Sequence, residues 1–116
     1  MTTKGIRGAI TVEVNTEDAL KEATLELLKE LSFKNKLEPS IISHAIFTLT
    51  DDLNAAFPAK FARKDFGWDN VAMMCYHELD VPTLWKMCLR VLVVVNVNED
   101  FVPEFVYLKG ASHLRG

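Results

Sequence analysis

The order of apolar patterns along these 116 residues predicts an α/β (α+β) fold, a single domain over 1–116 with a mixed five-stranded sheet and one long helix on one face. Three observations carry that expectation. Five short runs read as strands, only one stretch sustains helical spacing over several turns, and no repeat, low-complexity tract or linker divides the chain.

The elements follow in order. "GIRGAITVEV" (5–14) reads as the first strand, with Ile6, Ile10, Val12 and Val14 among its apolar positions. Asn15 or Thr16 caps a helix whose positive first turn carries Glu17 and Asp18. Leu20, Ala23, Leu27, Leu28 and Leu31 recur on one helical face, and the helix ends near 34–36. "IISHAIFTLT" (41–50) is the second strand. Stretch 51–68 is the least periodic, a loop with a short helix opened by Pro58. "VAMMCYHEL" (71–79) is the third strand, "DVPTLWKM" (80–87) a short helical turn, 88–97 the fourth strand and "EFVYLKGA" (104–111) the fifth. One long helix cannot cover both faces of such a sheet, so the uncovered face predicts a homo-oligomer.

Composition narrows the function. A net charge of −3 with no basic stripe argues against nucleic-acid binding. The longest apolar run falls far short of the ~20 residues of a membrane span, and "KGIRG" interrupts the apolar segment that a signal peptide needs. Cys75 and Cys88 form no C-x-x-C pair, which points to thiols in a reducing cytoplasm. His44, His77 and His113 share no metal-ligand spacing with either cysteine, so neither a metal nor a cofactor is expected.

Chemistry is carried by the arginines. There are four, Arg7, Arg63, Arg90 and Arg115, against nine lysines. Arg90 heads a run with β-branched residues at four of its five positions, Val91 to Val95. A guanidinium stays charged, so at the edge of a core it requires an anion, supplied either by one of the 16 acidic residues or by a ligand. Arg7 lies between Ile6 and Gly8, and the neighbouring glycines, Gly5 and Gly8, suit a backbone that something approaches closely. Glu78 and Asp80, two residues apart, invite an acid/base reading, although carboxylates beside a turn are usually solvated.

Six segments in order, "KGIRGAITVE", "DLNAAFPAKFAR", "GW", "CYHELDV", "CLRVLVVV" and "VYLKGASHLR", span nearly the whole chain. Through them the sequence resembles the monofunctional chorismate mutases of the trimeric, bacillus-type class. The resemblance implies a pseudo-barrel homotrimer with active sites between subunits and an isomerase of the cytoplasm. Its reaction would be the [3,3]-sigmatropic rearrangement of chorismate to prephenate on the route to phenylalanine and tyrosine. It further implies that Arg90 donates to the breaking ether oxygen, Arg7 holds a substrate carboxylate, Tyr107 adds a hydroxyl donor and Glu78 accepts from the ring hydroxyl. Met74, through its backbone, and the Cys75 thiol would touch that hydroxyl too. Phe57 and Leu114 would supply apolar walls, and Lys60, Arg63 and Arg115 a cationic rim. The chain ends at Gly116, short of the tail that such proteins usually carry, and that difference would bear on affinity rather than on the chemical step.

Two other classes remain to be weighed: a sensor of an aromatic-pathway dianion without turnover, and an enamine/imine deaminase on a similar trimeric fold. The first has no need of a cation aimed at an ether oxygen, and the second lacks the "FPAKFAR" and "CYHELD" segments.

Overall fold

The computed structural model describes residues 1–82 and 84–114. Strands β1 (Thr2–Thr11), β2 (Ile42–Leu49), β3 (Ala72–His77), β4 (Cys88–Val97) and β5 (Val106–Leu108) form one sheet in the order β3-β2-β4-β1-β5. β4 is central and antiparallel to β1 and β2, whereas β3 joins β2 and β5 joins β1 in parallel. The sheet is therefore mixed, as expected.

Helices α1 (Glu17–Asn35) and α2 (Pro58–Asp65) lie on one face of it. The α1 cap is Thr16, whose hydroxyl accepts from the Ala19 amide at 3.1 Å. Asn15 instead takes the amides of Asn54 and Ala55, both at 3.0 Å, and so ties the irregular 51–57 loop to the start of the helix. Lys36, at φ 52°, ends α1 in the left-handed region, and the Leu37 amide folds back to Ser32 O at 3.0 Å. The stripe Leu20, Leu27, Leu28 and Leu31 is fully buried against Ile6, Ile10, Phe47, Leu89, Val93 and Val95. Trp68 closes the core beside α2, edge-on to Phe66 at 5.9 Å. Among the described residues no helix is long and apolar enough to cross a membrane.

Period-2 alternation sends every second strand residue to the opposite face, which neither helix covers. Arg7, Ile46, Thr48, Met74, Tyr76, Arg90 and Leu92 lie there, with Met74 57% and Leu92 38% exposed. Among the described residues its β5 end is roofed by the chain itself, where Ala9, Cys88 and Ala111 form a small buried cluster with Tyr107 and Leu114.

Three expectations are corrected. Among the described residues of 80–87 no helix forms; Leu84 N–H closes a turn on Val81 O at 2.9 Å. The first strand runs 2–11 rather than 5–14, because its partner β4 is long enough to pair Thr2 with Val97. The fifth strand is three residues long. Asn35 holds both the N–H and the C=O of Glu104, at 2.8 and 2.9 Å, keeping the chain off the sheet until Val106. Lys109 (φ 54°) then turns it into a 3-10 helix, Lys109–His113, whose Gly110 amide bonds Thr11 Oγ1 at 2.9 Å.

What approaches Gly8 is α1. A Cβ there would meet Leu31 Cδ1 at 2.8 Å and Leu27 Cδ1 at 3.2 Å. Gly8→Ala should therefore destabilise the fold by about 1–3 kcal/mol, read as a lower denaturant midpoint at unchanged m-value. An unchanged midpoint would mean that α1 is not seated so closely.

Candidate functional site

The register of the open face sets one lateral row. Tyr76, Thr48, Arg90, Ala9 and Tyr107 are successive cross-strand partners from β3 to β5. One pair of residues further along, Arg7 stands opposite Leu92. Around these positions opens a cavity of about 270 Å³, lined by Arg7, Ile46, Thr48, Arg90, Leu92 and Tyr107.

Glu78 reaches this pocket because its amide bonds Leu49 O at 2.8 Å, carrying the β2–β3 pairing one residue past the end of β3. Its carboxylate meets Arg90 as a fork, with Nε donating to Oε2 and Nη2 to Oε1, each at 2.7 Å. Thr48 Oγ1 also donates to Oε2. The fork with Arg90 holds the Glu78 carboxyl below its ordinary range against an opposing effect of burial, with Thr48 helping, and Glu78 in turn raises Arg90. The question raised by Arg90 has a first answer: in the chain alone the anion is Glu78. The Trp85 ring lies 5.8 Å from the guanidinium carbon, on a loop secured where the Met87 amide donates to the Asp52 carboxylate at 3.0–3.1 Å. Arg7 has no carboxylate partner among the described residues and stacks over Phe105 at 4.9 Å.

The remaining expected residues gather elsewhere. Phe57, Lys60, Arg63, Met74 and Cys75 line a second cleft of about 330 Å³ between α2 and β3. Lys60 is paired with Glu17 at 2.8 Å, while Arg63 has no ion-pair partner among the described residues. Phe57 is 70% exposed. Burial pushes up the Cys75 thiol and takes Cys88 to about 11, so both are neutral thiols near pH 7. Leu114 packs at the β5 end against the Ala9 cluster, and Arg115 lies outside the described residues.

The structure thus brings Arg7, Glu78, Arg90 and Tyr107 together and puts the α2–β3 set at the opposite edge of the sheet. Sequence reasoning missed Thr48 and gave Trp85 no part in the site. Parity with Ile46, against the buried Ala45, Phe47 and Leu49, was a signal for Thr48. Its pairing with Arg90 depends on a strand register that no local pattern encodes.

The pocket thus holds a guanidinium–carboxylate fork, a second guanidinium without a carboxylate partner among the described residues, and a phenol, groups suited to a small carboxylated anion. A family profile described as "Chorismate mutase type I" matches residues 3–116. The chorismate mutase AroH of Bacillus subtilis (strain 168) is 38% identical over 117 residues, 99% of this chain and 91% of that protein. Its namesake from Thermus thermophilus is 40% identical over 115 residues, 97% and 93% of the two chains. A solved chorismate mutase from Clostridium thermocellum superposes with a TM-score of 0.87 at 47% identity, covering 93% of this chain and 96% of that one. The chain belongs to the chorismate mutase type I family, and is an isomerase of that class.

The lowered Glu78 carboxyl makes a prediction about acid. Folding that depresses a carboxyl gains stability that is complete above the unfolded group's ordinary value and lost as pH falls from there through the folded value. Denaturant midpoints measured downward from pH 6 should fall less steeply below about pH 4.5 in Glu78→Gln than in the wild type. Parallel profiles would show that the pair contributes nothing differential.

Proposed function

We propose that the open-face pocket rearranges chorismate to prephenate by holding it folded and stabilising the breaking ether bond, and that the complete site forms between subunits of a homotrimer. Arg90 carries the reading: a guanidinium fixed by a carboxylate fork at the centre of a sheet, beside the free cation Arg7 and the hydroxyl of Tyr107.

The reaction needs neither a nucleophile nor a proton from the protein. An extended enolpyruvyl side chain must be folded over the ring, and negative charge growing on the ether oxygen must be met by a donor already in place. Two of the five N–H donors of Arg90 are spent on Glu78, leaving three for the ether oxygen and a substrate carboxylate. Because Glu78 holds the guanidinium before the substrate arrives, little reorientation remains for the transition state. A ~10⁶-fold acceleration corresponds to about 8 kcal/mol, a share that restriction and charge together supply. Arg7 takes the other carboxylate, Tyr107 donates beside it, and Glu78 accepts from the ring hydroxyl, with the Met74 backbone and the Cys75 thiol near that hydroxyl.

Geometry supports the shared site. Arg7 lies on β1, three strand spacings or roughly 14 Å from the β3 edge where the α2–β3 cluster gathers, so the two clusters of one chain are poorly placed to enclose one small molecule. Charge supports it as well. Arg90 is balanced by Glu78 and Lys60 by Glu17, whereas Arg7 and Arg63, one in each cluster, keep uncompensated charge among the described residues. Joined across an interface, with Arg7 on a carboxylate and Arg63 at the rim, they suit a dianion. Phe57 and Leu114 then wall the site, and Lys60, Arg63 and Arg115 form its rim. In this reading residues 1–116 are one chorismate mutase domain that works in the cytoplasm on the route to phenylalanine and tyrosine, and the free thiols Cys75 and Cys88 suit a reducing compartment.

Purified protein should consume chorismate saturably, seen as loss of its diene absorbance, and acidification should then yield phenylpyruvate. Arg90→Lys should lower kcat by at least about a thousandfold with the fold intact, since an ammonium reproduces neither the fork nor its direction. Near-normal turnover in that variant would overturn the role of Arg90. A folded protein that binds chorismate and leaves it unchanged would favour the sensor instead. Co-refolding Arg90→Ala with Arg63→Ala chains should restore activity that neither has alone, because mixed interfaces contain sites with both arginines; no recovery would place each site within one subunit.

A further inference from the structure

We propose that Thr48 is a positioning residue for the rearrangement: its hydroxyl locks the Glu78 carboxylate, which in turn aims Arg90 and leaves a single carboxylate oxygen open to the substrate. This inference rests on the function argued above and deepens it. A carboxylate offers two lone pairs on each oxygen. On Oε2 of Glu78 both are taken, by Arg90 Nε and by Thr48 Oγ1. Oε1 accepts from Arg90 Nη2 alone among the described residues and keeps one pair open. A substrate hydroxyl that reaches Glu78 is therefore directed to Oε1, on the side of Nη2.

The hydroxyl is well placed to impose this order. Thr48 is the second-last residue of β2, directly opposite Arg90 on β4 and Tyr76 on β3, so its backbone is held from both sides. Its β-branched side chain has few rotamers in that setting. Glu78, by contrast, sits beyond the end of β3 on a longer and looser side chain, fastened by its amide to Leu49 O. The fork by itself would let carboxylate and guanidinium rock together as a unit; a third donor from a different strand stops that motion. The hydroxyl is committed to Glu78 in this arrangement, so its removal should spare binding by Arg7 and cost alignment in the transition state.

Thr48→Val removes the hydroxyl and keeps the branched shape that suits a strand; Thr48→Ser keeps the hydroxyl. Both are compared with the wild-type protein in the same chorismate assay, with melting temperatures as a check on folding. Thr48→Val should lose about tenfold in kcat, the scale of one hydrogen bond to a charged group, with KM moving less than about twofold, while Thr48→Ser should stay near the wild type. A Thr48→Val enzyme with wild-type kcat, a loss confined to KM, or a Ser variant as poor as the Val variant would overturn the positioning role and leave the function standing. A folded wild-type protein that does not rearrange chorismate would overturn the function, and this inference with it.

Discussion

The fork between Arg90 and Glu78 is the constraint around which the rest of this fold is arranged. A guanidinium in the middle strand of a sheet is fixed in place where a carboxylate can reach it, and Glu78 reaches it because β3 runs parallel to β2 and ends one residue earlier. Parallel pairing of β2 and β3 requires a crossover, here the 51–71 segment with α2. That crossover delivers Phe57, Lys60 and Arg63 to the β3 edge. The connection that lets the sheet neutralise its central arginine is thus the same one that builds the second cluster of cations.

The two faces of β4 divide the work. Leu89, Val91, Val93 and Val95 are buried beneath α1, and their burial is what anchors the strand. Cys88, Arg90, Leu92 and Val94 alternate with them on the other face, so Arg90 inherits a rigid backbone without being sealed from a ligand. Its side chain remains 41% exposed while Glu78 is only 13% exposed. The carboxylate is sheltered and the cation presented, which is the order that an anion-binding site requires. Trp85 reinforces it by covering one side of the guanidinium with an apolar ring that cannot compete as an acceptor.

Much of this was legible in the sequence. The strands, the long helix and its cap follow from local pattern, and the six matching segments brought Arg7, Glu78, Arg90 and Tyr107 forward by number. What local pattern could not encode were relations across the sheet. The hydrogen bond from Thr48 to Glu78 joins residues thirty positions apart through register. Pro82 suggested a helical start, yet residues 80–87 are spent carrying the chain from the β3 edge to the central strand, and the bonds of Asp52 to Met87 N–H and of Val12 N–H to Met87 O fix that path in place of a helix. The short β5 likewise reflects Asn35 reaching Glu104 from α1, a contact that strand propensity does not contain.

The exposed side chains of the open face argue that folding and site completion are one process in the proposed assembly. Met74, Tyr76 and Leu92 are each more than a third exposed and lie beside the cations. In that assembly such apolar surface would gain by meeting a second copy, and burying it would bring the Arg63 of one chain toward the Arg7 of another. Two uncompensated guanidinium groups would repel on approach, and a bound dianion between them would relieve that repulsion. The charges proposed to bind the substrate would then make it a stabiliser of the interface, because a ligand that binds only the assembled form shifts the equilibrium toward it.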